Sequence, residues 1–258
     1  AVPDRCPVSG GKIVLFGYGI QRIEQELHRK FPDARVARMD SDTMTTARQF
    51  QHVFDRFGQG EVDLLLGTQM VAKGLDFPRV SLVGVASADT SLTIPDFRAA
   101  ERTFQLVVQV AGRAGRADLP GQVVVQTLYP DEPAIVFAER HDYAGFVDHE
   151  LPARQAAQLP PYSRMVRLIV RHAEVLRAEQ DAQRLRQWAG DALAGDDVQI
   201  VGPMPAPVAR VRKQFRFQVL LSCAHAGRLQ HRIRPHMERW SRELHAELIA
   251  DADPTSLA

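Results

Sequence analysis

The strongest constraint on the fold is an alternation, through the first half of the chain, of short apolar runs with amphipathic stretches of helical length. Lys12–Phe16 is an apolar run closed by Gly17-Tyr18-Gly19, and Arg35–Met39 is short and strand-like. Val62–Leu66 and Val80–Ala86 are apolar runs of strand length, and Gly121–Thr127 reads as a further strand. Between them, Ile20–Lys30 sets Ile23 and Leu27 at helical spacing, and Thr45–Phe57 does the same with Phe50, Phe54 and Phe57. Phe97–Val110 reads as a third helix. Strands of this kind are buried on both faces, so the pattern predicts a parallel sheet covered by helices. Such sheets carry their chemistry in loops beyond the strand C-termini.

The pattern changes after a boundary near Glu139–Pro161, where Leu159-Pro160-Pro161-Tyr162 predicts a rigid connector because successive prolines exclude helix. Arg164–His172 then reads as a strand, Glu174–Leu193 as an amphipathic helix, and Val198–Val201 as a short strand closed by Gly202-Pro203-Met204-Pro205-Ala206-Pro207. Gln214–Ser222 is a strand, Gly227–Leu248 a helix with a kink expected at Pro235, and Leu248–Ala250 an edge strand. Strand-helix-strand-strand-helix-strand predicts a ferredoxin-like α+β sandwich.

Charge separates the same two halves. Residues 1–150 hold 16 Lys and Arg against 20 Asp and Glu, a net −4; residues 151–258 hold 16 against 11, a net +5, and 15 of those 16 cations are Arg. A basic second half suits a polyanionic partner, although an Arg-rich soluble surface gives the same balance. No apolar run approaches the ~18 residues of a membrane span, and the first residues do not read as a signal peptide. Cys6 and Cys223, far apart, make no disulfide framework, so a reducing, cytoplasmic setting is expected.

Two segments of the first half carry chemistry. Gln109-Val110-Ala111-Gly112-Arg113-Ala114-Gly115-Arg116 ends a predicted helix and sets two Arg three residues apart beside two Gly. Guanidinium forks match phosphate oxygens, and two of them near a scissile phosphoanhydride could stabilise charge spreading over a γ-phosphate. A Gly-rich turn with two solvated Arg has the same pattern. Gly67-Thr68-Gln69-Met70-Val71-Ala72-Lys73-Gly74-Leu75-Asp76 follows a buried strand. Thr68 and Gln69 can hydrogen-bond a phosphate or sugar, Lys73 is a cation, and Asp76 could accept from a ribose hydroxyl; an ordinary loop is the alternative. In the second half, polar residues recur at every second position from Arg210 to Gln218, with Phe215, Phe217 and Val219 between them. One strand would then set Arg210, Arg212 and Arg216 on a common face that could track DNA phosphates, or that is merely solvated. Arg228, Arg232, Arg234 and Arg239 add basic residues on the following helix.

The first two segments resemble motifs V and VI of the helicase superfamily that includes the DEAD-box and RecQ enzymes. The run Gly67–Thr127, with Ala88-Asp89, Pro95-Asp96-Phe97-Arg98-Ala99-Ala100-Glu101-Arg102 and Pro120-Gly121-Gln122-Val123, resembles the PriA family of replication-restart helicases more closely. That resemblance continues through Leu159–Tyr162, Val201–Pro207 and Asp251-Ala252-Asp253-Pro254. It implies a RecA-like second motor lobe over residues 11–139, a linker over 140–163, and a C-terminal DNA-binding domain over 164–258, with residues 1–10 the remnant of a zinc-binding insertion. It further implies ATP-driven 3′–5′ unwinding of stalled forks and primosome assembly. The partners implied are branched and single-stranded DNA, the single-strand-binding protein and primosome components, with no membrane. By motif position, Arg113 and Arg116 would reach ATP held by the first lobe, with Gln109, Gly112 and Asp76 near the nucleotide. Gly67, Thr68, Gln69 and Lys73 would face DNA.

The chain departs from the family in two respects. Its sequence holds no Gly-x-x-x-x-Gly-Lys-Thr loop and no Asp-Glu-x-His strand, so ATP and Mg²⁺ are expected only in a longer parent, and this chain alone is expected not to hydrolyse ATP. At Cys6-Pro7-Val8-Ser9-Gly10 a serine stands where the family places a thiolate ligand, and one Cys does not make a zinc site. A non-enzymatic DNA- or protein-binding adaptor and a different translocase using the same two motifs are the rival readings. Pro95-Asp96-Phe97-Arg98 and Leu159–Tyr162 disfavour the second.

Overall fold

The computed structural model describes residues 19–40, 44, 46–68, 80–112, 121–224 and 226–257. The chain divides into two compact units, one of residues 1–92 and 101–141 and the other of residues 93–100 and 142–258.

In the first unit, α1 (Ile20–Lys30) leads to β1 (Val36–Met39), and α2 (Ala47–Gln59) leads to β2 (Leu64–Gly67). β1 and β2 pair in parallel, Val36 opposite Leu64 and Met39 opposite Gly67. α2 starts where the sequence provides a capping box: the Thr46 hydroxyl accepts from the Gln49 amide at 3.4 Å, and the Gln49 side chain accepts from the Thr46 amide at 3.1 Å. It stops at Gly60, whose φ of 79° is a left-handed cap that glycine adopts without steric cost. β3 (Leu82–Val85) and β4 (Gln122–Val125) form a second parallel pair; the short α3 (Asp89–Leu92) and then α4 (Ala99–Ala111) lie between them in sequence. Buried Asp89 ties the exit of β4, accepting from the Thr127 hydroxyl at 2.5 Å and the Leu128 amide at 3.0 Å. α5 (Pro133–Glu139) completes the unit, and the strand expected at Lys12–Phe16 lies outside the described residues.

Residues 140–163, expected as a linker, contain a 14-residue helix, α6 (Tyr143–Ala156). The Asp142 carboxylate caps it, accepting from the Gly145 amide at 2.8 Å. Gly145 and Pro152 inside the helix, and the lack of a clear apolar stripe, hid it from periodicity.

The rest of the second unit is β5 (Arg164–His172), α7 (Val175–Ala192), β6 (Gln199–Val211), β7 (Gln214–Cys223), α8 (Ala226–Glu243) and β8 (Glu247–Ala252). The strands form one antiparallel sheet in the order β6-β7-β5-β8. That order is the ferredoxin-like arrangement expected from the element pattern. Val166, Leu168 and Val170 of β5 and Phe217, Val219 and Leu221 of β7 form one apolar face. Ala178, Ala182, Leu185 and Ala189 of α7 and Leu229, Ile233 and Trp240 of α8 pack on it. Each fully buried Leu or Val side chain contributes about 1.5–3 kcal/mol.

β6 is longer than expected. The prolines at 203, 205 and 207 argue for ending it at Val201, yet it runs to Val211. It is an edge strand, where a missing N–H is tolerated, and its register shifts between Val201 and Met204 and again between Pro205 and Arg210. Gly202 is required at the first shift: its φ is 104°, and a Cβ there would stand 2.7 Å from the Gln218 carbonyl oxygen.

Candidate functional site

The segment expected to face DNA begins where β2 ends, and the segment with the two arginines begins in the last turn of α4. Gly67 closes β2 opposite Met39, so Gly67 and the exposed Thr68 stand at the C-terminal edge of the parallel pair. Ligands bind open α/β sheets at that edge. Buried Asp40 follows β1 there and accepts from Arg38 Nε at 2.5 Å, while Arg38 Nη1 donates to Glu24 at 2.9 Å. Those two hydrogen-bonded carboxylates raise the Arg38 pKa above its ordinary value. Gln109 lies in the last turn of α4, and Gly112 follows it with its amide donating to the Val108 carbonyl at 3.1 Å. A Cβ on Gly112 would meet only ordinary contacts at 3.7 Å, so its backbone position alone does not demand glycine. Gln69, Lys73, Asp76, Arg113, Arg116 and Cys6 lie outside the described residues.

In the second unit the basic stretch is a hairpin, which corrects the expectation of one continuous strand face. β6 and β7 are joined by the two residues Arg212 and Lys213, both at positive φ, 49° and 68°. A two-residue loop of this kind, with both central residues in that region, matches strand twist, and asparagine or glycine usually supplies them. The signal that marks such turns is therefore missing from the sequence. Because the chain reverses, Arg210 pairs with Phe215 and shares its face of the sheet, the Arg210 guanidinium 4.9 Å above the Phe215 ring. Arg216 points to the opposite face and donates to the Val208 carbonyl at 3.3 Å. Arg210, Arg212 and Lys213 are exposed at the tip, and Arg216 is half-buried. The three arginines therefore surround the hairpin end instead of lining one face.

Several other cations of this unit are already engaged. Arg171, opposite Arg216, holds Glu247 through two hydrogen bonds of 2.5 Å, which lowers the Glu247 carboxyl below its usual range. Arg232 of α8 pairs with Asp196 at 3.0 Å, and Arg239 with Glu243 at 3.0 Å. Arg167 is 2% exposed and donates to Gln218 Oε1 at 2.8 Å and the Ser256 carbonyl at 3.0 Å. Its Nη2 has no partner among the described residues. Burial first, and then the charge of Arg216, depress its pKa. Polar alternation on β7 therefore does not mean solvation throughout, since Gln218 is buried beneath Arg167.

Comparison with known proteins agrees with this division. The family model described as "Helicase conserved C-terminal domain" matches residues 5–118, and the one described as "Primosomal protein N C-terminal domain" matches residues 155–255. The "Replication restart protein PriA" of Bacillus subtilis (strain 168) is 42% identical over 257 residues, 98% of this chain and 32% of its own length. That of Treponema pallidum (strain Nichols) is 36% identical over 258 residues, all of this chain and 39% of its own. That of Synechocystis is 40% identical over 220 residues, 85% of this chain and 26% of its own.

The chain belongs to the PriA family. It corresponds to the C-terminal portion and spans about a third of the length of the curated PriA relatives it matches. A helicase C-terminal lobe of RecA-like type, followed by the PriA C-terminal domain, is the architecture expected from the sequence. Among the described residues no group of three His, Cys, Asp or Glu stands together to hold a metal ion. No described helix is long and apolar enough to cross a membrane.

Proposed function

We propose that this chain is the second motor lobe and C-terminal DNA-binding domain of an ATP-dependent 3′–5′ DNA helicase that acts on stalled or branched replication forks and promotes primosome assembly in the cytoplasm. The similarity to PriA proteins along almost the whole chain carries this reading. In it, Arg113 and Arg116 present guanidinium forks to the γ-phosphate of ATP, with Gln109 and Gly112 shaping the loop and Asp76 near the nucleotide. Gly67, Thr68, Gln69 and Lys73 contact the DNA backbone. The hairpin end contributes Arg210, Arg212, Lys213 and Arg216 to phosphates around branched or single-stranded DNA. Primosome components and a single-strand-binding protein are the protein partners. The P-loop phosphate cradle and the acidic Mg²⁺ ligand are not among this chain's residues, so the chain by itself releases no phosphate from ATP above a blank. DNA-stimulated release by purified chain, free of contaminating ATPase, is the result that refutes that point.

The hairpin tip provides the test of DNA binding. Replacing Arg212→Asn and Lys213→Gly together removes two charges and installs residues that favour positive φ. The variant is expected to be at least as thermally stable as the parent. Its affinity for branched duplex DNA should fall, and the slope of log affinity against log salt should flatten by about 1.8, from roughly 0.9 per lost phosphate contact. A salt series with a melting curve for each protein measures both. An unchanged slope in the folded variant would show that the tip is only solvated.

A further inference from the structure

At the hairpin end of the sheet in the second unit, one row of side chains crosses three strands. Arg216 of β7 stands opposite Arg171 of β5, and Arg171 stands opposite Glu247 of β8. Side chains alternate faces along a strand, so this row lies on the face away from the one that Val170 and Phe217 present to α7 and α8. Residues directly opposite have Cβ atoms about 4.5–5.5 Å apart, and like charges so placed destabilise the pair. Arg171 is compensated: its Nε and Nη2 donate to the two oxygens of Glu247 at 2.5 Å. That fork lowers the Glu247 carboxyl below its usual range, so Glu247 stays charged at neutral pH. Arg216 donates only to the Val208 carbonyl and pairs with no carboxylate among the described residues. Further along the same face Arg167 is buried opposite Asp251, and its Nη2 has no partner among the described residues. The β6–β7 hairpin, residues 199–223, holds Arg210, Arg212, Lys213 and Arg216 and no Asp or Glu.

A carboxylate gripped side-on by a guanidinium presents two oxygens, as a phosphate diester does, and Arg binds either with the same fork. The Arg171 and Glu247 side chains are 38% and 50% exposed, so water and salt screen their attraction and the pair opens at little cost to stability. Glu247 lies on the far side of Arg171 from Arg216, so it leaves the repulsion between the two arginines in place. An anion over β5 and β7 relieves that repulsion. We propose that Arg171 and Arg216 form a seat for one backbone phosphate of DNA, and that Glu247 holds Arg171 in the free chain as a stand-in for that phosphate. Binding exchanges one anion for another on Arg171, and Glu247 thereby acts as a brake on affinity. The cations of the hairpin tip continue the seat along the backbone. The proposal rests on the reading of this domain as DNA-binding, to which it adds Arg171 and a competing carboxylate.

The experiment measures binding of the full chain to branched duplex DNA over a salt series, with a melting curve for each protein. The proteins are wild type, Glu247→Gln, Glu247→Gln with Arg171→Gln, and Asp196→Asn. Asp196→Asn makes the same change of charge and frees Arg232, but at the opposite end of the sheet, ahead of the first residue of β6. Glu247→Gln should tighten binding, and the slope of log affinity against log salt should steepen by about 0.9, one further phosphate contact. Its advantage over wild type should therefore shrink about 3.5-fold between roughly 50 and 200 mM salt. Removing Arg171 as well should abolish the added slope, and Asp196→Asn should leave the slope at the wild-type value. A wild-type slope in Glu247→Gln overturns the seat, as does a steeper slope that survives the loss of Arg171 or appears equally in Asp196→Asn. Should Glu247→Gln fail to fold, the wild-type chain decides by nuclear magnetic resonance. The Arg171 Nε–H signal, assigned by its loss in Arg171→Gln, should shift when duplex DNA is added, and an unmoved signal overturns the seat. If wild type binds DNA and only these expectations fail, the DNA-binding reading stands without the seat. If wild type binds no DNA, that reading fails and the seat falls with it.

Discussion

Alanine at both Arg113 and Arg116 in the intact protein is expected to lower DNA-stimulated ATP turnover by about 10³–10⁵-fold, the range over which a stabilising arginine acts in phosphoryl transfer. The transition state spreads charge over the γ-phosphate oxygens, and a guanidinium placed there stabilises the transition state more than the ground state. Affinity for DNA should change little, because these two side chains face the nucleotide in the proposed motor. Each single replacement should cost less than the pair, since a neighbouring guanidinium three residues away can cover part of the same charge. Steady-state turnover at saturating DNA, with DNA affinity measured separately, separates the two effects. Near-normal turnover in the folded double variant would remove the loop from the nucleotide site and leave Gln109–Arg116 as a Gly-rich surface turn.

Trp240→Ala is expected to destabilise the C-terminal domain by about 3–5 kcal/mol, the usual cost of emptying a buried Trp site. Trp240 is 1% exposed, lies in the cluster with Leu168, Leu185 and Leu229, and stacks on His236 with ring centroids 5.5 Å apart. Trp188 sits half-buried at the rim of the same cluster, so Trp188→Ala should cost clearly less. Denaturant unfolding followed by far-ultraviolet circular dichroism reads the midpoint shift of each variant. DNA binding should fall with the folded fraction in Trp240→Ala and recover on cooling or at lower denaturant. A shift below about 1 kcal/mol would mean that the cavity collapses onto neighbouring side chains.

The two experiments address different parts of the molecule. The first reads the chemistry proposed for Arg113 and Arg116, and the second reads the packing of the C-terminal domain that carries the hairpin. If Trp240→Ala unfolds the domain, the hairpin variant needs its melting curve beside its own. Arg212→Asn with Lys213→Gly is chosen for that reason: its expected effects on stability and on DNA affinity have opposite signs, so unfolding cannot be mistaken for lost phosphate contacts.

Period and composition alone determined much of this protein. The alternation of apolar runs with helical stretches located α1, α2, β1 to β4 and α4 closely, because burial on a sheet or on one helix face imposes its own spacing on residues adjacent in sequence. The same logic yielded the order of elements in the ferredoxin-like domain, and the segments Gly67–Asp76 and Gln109–Arg116 drew their proposed motor role from a resemblance to helicase motifs. Three features depended on residues distant in sequence and were decided only by tertiary structure. The Arg212-Lys213 turn lacks asparagine and glycine, and is held by pairing of the strands on either side, so Arg210 and Arg216 part to opposite faces. β6 continues through three prolines because it is an edge strand whose neighbour accepts bulges. Asp96 reads locally as a helix-start residue; its bond to the Leu257 amide exists because sheet pairing of β8 beside β5 brings the C-terminal tail back to it. Local spacing records which face a residue presents, whereas the partner it meets there depends on how far the chain has returned upon itself.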